Sequence, residues 1–188
     1  MRLLVSACLA GERVGVDGTS NGDHPHIRAL LGRPNVRAIT FCPEAFSFGV
    51  PRATPDIHDG HGGDVLDGRA RVIADDGQDF TEGMVTAAKA MLRLAQEHEV
   101  HAAILMDISA ACGSQVIYRG ARREKHYQIG RGVAAALLAR AGIPIMSQRD
   151  YKTLDRLTAK LDPGHRSRPE LKDHHEIDWY REYFGTQA

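Results

Sequence analysis

Three short apolar runs in this chain each lead to a cysteine, and the chain has three cysteines in all. The runs are Leu3-Leu4-Val5-Ser6-Ala7-Cys8, then Val36-Arg37-Ala38-Ile39-Thr40-Phe41-Cys42, then Ala102 to Met106, which reaches Cys112 through Asp107-Ile108-Ser109-Ala110-Ala111. Runs this short and this apolar read as strands buried on both faces, the kind that parallel sheets use. Each is broken soon after its cysteine, by Gly11, Pro43 or Gly113. If the strands are parallel neighbours, the three thiols meet at the carboxyl edge of the sheet, where open α/β sheets bind ligands.

The rest of the pattern predicts a single α/β domain, a Rossmann-like parallel sheet flanked by helices. Pro25 to Leu31 reads as a short helix closed by Gly32. Met84, Ala87, Ala88, Met91, Leu92, Leu94 and Ala95 recur at helical spacing after Asp79 or Thr81, either of which can serve as N-cap. That helix feeds the Cys112 strand as a crossover. Gly130 to Ala141 is a second helix, with Val133, Ala136, Leu137 and Ala141 as its apolar face, and Ile143 to Ser147 a further strand. Asp67-Gly68, between Val65-Leu66 and Arg69 to Ile73, signals a small hairpin insertion. Residues 1–148 form the α/β domain on this reading, and residues 149–188 a helical C-terminal extension. There, Tyr151 to Leu161 is amphipathic, His174-His175-Glu176 reads as capping or surface, and Trp179, Tyr180, Tyr183 and Phe184 are expected to pack on the body or on a second subunit.

Several polar residues stand close to the strand ends. Leu9 to Gly22 is glycine-rich and carries Asp17; it matches neither a phosphate-binding loop nor a dinucleotide fingerprint. It reads equally as a plain connection or as a flap over a ligand. Cys42-Pro43-Glu44 fixes a carboxylate two residues from a thiol, a general acid or base in waiting. Arg52 ends an apolar turn and is placed to pair with Glu44 or with an anionic group. His58-x-x-His61 has metal-like spacing without a completing set and reads as a mobile surface loop. Arg119, Arg122, Arg123 and Lys125 make a basic loop, which reads as solvated or as able to close over an anionic ligand.

Composition narrows the function. Lys+Arg and Asp+Glu are 24 each, so charge gives no case for nucleic acid or an anionic membrane as partner. No apolar run is long enough to span a bilayer. An odd cysteine count without a targeting segment points to a reducing compartment, the cytoplasm. Three thiols at one edge leave four readings open. Structural zinc wants a fourth ligand. A nucleophilic cysteine wants a histidine partner that no pattern supplies. A 4Fe–4S cluster on three thiolates leaves one iron free as a Lewis acid. Buried inert cysteines need nothing else.

Val5-Ser6-Ala7-Cys8-Leu9-Ala10-Gly11 with Asp17-Gly18, Cys42-Pro43-Glu44, Gly49-Val50-Pro51-Arg52, Cys112-Gly113-Ser114 and Ala141-Gly142-Ile143-Pro144 together resemble the 2-thiouracil desulfurase family. The resemblance implies that Cys8, Cys42 and Cys112 hold a 4Fe–4S cluster with one iron open to substrate, and that Glu44 and Ser109 are catalytic. It implies non-redox replacement of sulfur by oxygen in a thiolated nucleobase or related thiocarbonyl compound, with release of sulfide. The chain departs from the family pattern at Gly15-Val16, at Ser109-Ala110-Ala111-Cys112-Gly113, and in the loss of an upstream lysine near Asp107. These changes fall on the expected substrate pocket, for which Asp17, Arg52, Asp107 and Ser114 are the candidates. A nucleobase- or cluster-binding sensor without turnover, or a sulfide-transfer protein, would carry the same cysteines. A small-molecule thiolated base is the expected partner, with oligomerisation possible through the C-terminal extension.

Overall fold

The computed structural model describes residues 1–20 and 22–185; Asn21 of the glycine-rich loop and the last three residues of the extension lie outside it. Four strands form a parallel sheet in the order β2-β1-β5-β8: β1 (Arg2–Ser6), β2 (Arg37–Phe41), β5 (Ala102–Leu105) and β8 (Ile145–Ser147). Leu3, Leu4 and Val5 of β1 and Ala103, Ile104 and Leu105 of β5 are wholly buried. This is why those runs show no polar alternation. Side chains still alternate between the two faces. Leu4, Ala103 and Leu105 face a core built with α4 (Thr81–Glu97) and α5 (Val133–Arg140). Leu3, Val5, Ala102 and Ile104 face one built with α1 (Pro25–Leu31) and, through Leu154, α6 (Tyr151–Leu161). The extension thus contributes to the second face of the sheet. Among the described residues no helix is long and apolar enough to cross a membrane.

The hairpin insertion is present with a different partner from the one Asp67-Gly68 suggests. β3 (Pro55–His58) pairs antiparallel with β4 (Arg71–Ala74), while Val65 and Leu66 lie in α3 (Gly62–Leu66). The competing signal is a capping box: His61 Nδ1 accepts the Gly63 N–H at 3.1 Å, and the His61 N–H donates to Asp64 Oδ2 at 3.1 Å. A capped turn with its carboxylate at N3 outweighs the β propensity of Val65. His61 is therefore a helix cap rather than part of a plain surface loop. A second hairpin, β6 (Val116–Tyr118) with β7 (Tyr127–Ile129), is absent from the sequence reading because β7 is three residues long, too short to show a period, and follows a basic loop.

Two further expectations change. α5 is buried nearly all round, at Val133, Ala134, Ala135, Ala136 and Leu138, because it is wedged between the sheet and neighbouring helices. His174 is neither surface nor a simple cap: it is fully buried, and its Nδ1 lies 2.6 Å from Asp107 Oδ2. The aromatic residues of α7 (Asp178–Phe184) pack on the body. Tyr127 donates its N–H to the Tyr183 hydroxyl at 3.0 Å, and the Trp179 ring meets Tyr127 edge-on at 5.2 Å.

Three chain segments cross near Gly132. A Cβ there would lie 2.6 Å from the Ala111 carbonyl, and one on Gly62 would lie 2.3 Å from the backbone of Gly132. Gly132→Ala should therefore force main chain apart. We expect a loss of about 1–3 kcal/mol, read as a fall in melting temperature of about 2–4 °C per kcal/mol for a chain of this size. An unchanged melting temperature would show that this crossing is looser than its geometry.

Candidate functional site

The three cysteines leave three parallel strands and turn toward one cavity of about 280 Å³. After β1 the chain closes a short 3-10 turn, Ala7–Ala10, which carries Cys8. After β2, Cys42 becomes the N-cap of α2 (Pro43–Phe48); its Sγ accepts the Ala45 N–H at 3.4 Å, and Pro43 opens the helix with a pre-set φ. Cys42-Pro43-Glu44 is thus the start of a helix, not an isolated turn. After β5 the loop to Cys112 is held at several points. Asp107 Oδ1 accepts the N–H groups of Ile108, Ser114, Gln115 and Val116 at 2.9–3.1 Å. The Val133 and Ala134 N–H groups at the start of α5, which a helix leaves without internal partners, donate to Ala110 and Ala111. Gly113 is needed because a Cβ there would lie 2.5 Å from Ile117 and 2.6 Å from the Ser109 carbonyl.

Beside the thiols stands a carboxylate fixed on both oxygens. Arg52 Nη2 donates to Glu44 Oε2 at 2.9 Å, and Ser109 Oγ donates to Glu44 Oε1 at 3.3 Å. Arg52 also donates to the Val14 and Gly49 carbonyls, and its side chain is 4 % exposed. Ser109 Oγ accepts the N–H groups of Ala111 and Cys112 at 3.2 and 3.0 Å. One hydroxyl therefore ties the Cys112 loop to Glu44. Val14 to Asp17, with Thr19 and Ser20, wall the cavity, which favours the flap reading of the glycine-rich loop.

Asp17 reaches the cavity rim, but its carboxylate is engaged by the N–H and hydroxyl of Thr19 at 3.0 and 2.7 Å and shapes the loop. Asp107 and Ser114 are corrections: neither lines the cavity. The Asp107 carboxylate is turned into the protein, where burial would raise its pKa, yet His174 and the Gln115 and Val116 N–H groups outweigh that and hold it below the usual range. Ser114 is buried, and its N–H is spent on Asp107. Of two further lining residues, sequence reasoning passes over Ser6 and offers Arg122 only as part of a basic loop able to close over an anion. Ser6, a hydroxyl in an apolar strand, lines the cavity with Cys112, partly opposes the rise that burial imposes on that thiol, and accepts the Met106 N–H at 3.0 Å. Arg122, from the basic loop, reaches the cavity while ion-paired to buried Asp56 at 3.1 Å.

The donor set fits a soft metal group. The thiols are unpaired. Burial pushes Cys8 up to about 12, with Cys42 and Glu44 adding to it. Burial also raises Cys42, and it raises Cys112 far above the ordinary thiol value. Bound metal deprotonates such thiols outright and compensates their charge. Zn–S bonds of about 2.3 Å would draw thiolates together around a point. Among the described residues, however, no three His, Cys, Asp or Glu side chains are grouped to hold a single ion.

The family model for 2-thiouracil desulfurase matches residues 3–150. The chain belongs to the 2-thiouracil desulfurase family. It is 37 % identical over 156 residues to the uncharacterized protein YbbK of Bacillus subtilis (strain 168), an overlap of 81 % of this chain and 99 % of that protein. Its fold is similar to the solved structure of the 4Fe-4S-dependent thiouracil desulfidase TudS. The TM-score is 0.70 at 33 % identity, covering 86 % of this chain and 99 % of that one. This desulfurase family member thus combines an enzyme fold with three unpaired cysteines at one cavity.

Removing Arg52 would strand the Glu44 carboxylate, which is 12 % exposed. Arg52→Leu should cost about 3 kcal/mol in chemical denaturation, and adding Glu44→Leu should recover part of that loss. A double variant no more stable than the single one would mean that Arg52 acts through its backbone contacts alone.

Proposed function

We propose that this chain removes sulfur from a thiolated pyrimidine or related thiocarbonyl compound, replaces it with oxygen and releases sulfide. In this reading Cys8, Cys42 and Cys112 hold a 4Fe–4S cluster, with one iron left without a protein ligand. The observation that carries it is the convergence of three unpaired thiols on one cavity beside a Glu44–Ser109 hydrogen bond of 3.3 Å. When bound, such a cluster supplies a soft Lewis acid for the sulfur of a C=S group.

The protein's own groups do the proton work. Glu44 takes the proton of the attacking water and passes it on as sulfide departs, so the overall change is C=S plus water to C=O plus hydrogen sulfide, with no electron transferred. Arg52 keeps Oε2 occupied and leaves Oε1 turned toward Ser109. Ser109 orients the water or the substrate by hydrogen bonding, and its two backbone N–H donors fix the hydroxyl in place. Phe41, Met106 and Ile108 give the cavity apolar wall for a flat heterocycle. The free base, not nucleic acid, is the substrate class on this reading.

Sulfide release from 2-thiouracil by anaerobically reconstituted protein tests it. Glu44→Gln should retain the cluster absorption and lose on the order of a hundredfold or more in rate, because the amide cannot accept the proton. Ser109→Ala should retain the cluster with a smaller loss. Replacement of any of the three cysteines by serine should abolish cluster and turnover together. Wild-type turnover by Glu44→Gln would remove Glu44 from the role of base.

A further inference from the structure

The loop that presents Ser109 and Cys112 is fastened from a part of the chain that the family match does not reach. Asp107 is its hub. Oδ1 gathers the four loop N–H groups, and Oδ2 accepts from the Ser147 hydroxyl at 3.3 Å and from His174 Nδ1 at 2.6 Å. Both side chains of the His174–Asp107 pair are fully buried. A carboxylate held in its charged form accepts, so Nδ1 carries the proton.

His174 is itself firmly placed. Its backbone N–H donates to Asp150 Oδ1 at 3.1 Å, and Asp150 in turn accepts from Gln115 Nε2 at 2.8 Å. The turn before it is tied to α6: Thr153 donates to both oxygens of Asp173, at 2.8 and 2.7 Å. The imidazole stacks at 4° on Trp179, with centroids 5.7 Å apart, and Tyr180 closes another side. The family model ends at residue 150, so this support comes from beyond it.

We propose that His174 is a positioning residue for this site: through Asp107 it holds the loop that carries Ser109 and Cys112 in working geometry. The C-terminal extension is then part of the machinery rather than an appendage. The kinetic consequence rests on the desulfuration reading; the effect on the loop does not.

The test is amide hydrogen exchange on the full-length protein, both metal-free and iron-loaded. His174→Phe keeps a ring between Trp179 and Tyr180 but has no donor, while His174→Asn keeps a donor near the Nδ1 position. In His174→Phe, the amides of Ile108, Ser114, Gln115 and Val116 should exchange faster by on the order of tenfold or more, while those of β1 and α4 stay unchanged. His174→Asn should restore most of that protection. For the loaded protein, kcat for 2-thiouracil should fall in His174→Phe with KM little changed, and return in His174→Asn. A rise in exchange spread evenly over β1, α4 and the loop would make His174 a general stabiliser and overturn the proposal, as would an unchanged loop. Should His174→Phe fail to fold, Thr153→Val, which loosens the turn that presents His174, decides by the same pattern. Inactivity of every form, the wild type included, would count against the desulfuration reading alone.

Discussion

The register of β1 against its two neighbours fixes where chemistry can occur in this molecule. Ser6 stands opposite Phe41, and Val5 opposite Ile104. The chain therefore leaves all three strands at nearly one level, with Cys8, Cys42 and the Cys112 loop all beyond it. Because side chains alternate across a sheet, a slip of one residue would exchange the two cores. Leu3, Leu4 and Val5 are too tightly enclosed to permit it. The hydrophobic core and the position of the thiols are thus two results of one constraint.

Around that edge the chain solves an electrostatic problem. Three thiols and a carboxylate share a small, half-closed cavity, and burial disfavours charge on all three thiols. Arg52 offsets Glu44, and Ser109 joins Glu44 to the loop of the third cysteine. The cavity remains deficient in positive charge once the thiols ionise. On the proposed reading a cationic iron–sulfur centre would answer that deficiency; the similar TudS structure is that of a 4Fe-4S-dependent enzyme.

β1 and β5 with their cysteines are legible in the sequence because burial on both faces leaves an uninterrupted apolar run that stops where the sheet stops; β2, an edge strand with Arg37 and Ala38 exposed, is legible from Ile39-Thr40-Phe41 and the proline behind Cys42. Glu44 and Arg52 are legible because they bracket one short helix and its following turn. Asp107 is misread for a physical reason: a carboxylate beside a loop serine looks solvent-facing until its partner, 67 residues away, is known. His174 is misread with it, since nothing local marks a histidine as buried. Arg122 is legible only as one of a run of like charges able to close over an anion, with nothing to single it out, and the β3–β4 pairing loses to Asp67-Gly68 because capping by His61 is a weaker sequence signal than a turn dipeptide. Local propensity reads elements well; partners brought together by the fold are beyond its reach.

The account turns on whether three thiolates from three strand ends hold one cluster with an iron left over. Mössbauer spectroscopy of the protein reconstituted anaerobically with iron-57 addresses this directly. It should show about four irons per chain, one of them distinct from the rest, and that one alone should shift when 2-thiouracil is added. Four irons that remain equivalent and indifferent to 2-thiouracil, or a chain that retains zinc in their place, would contradict it.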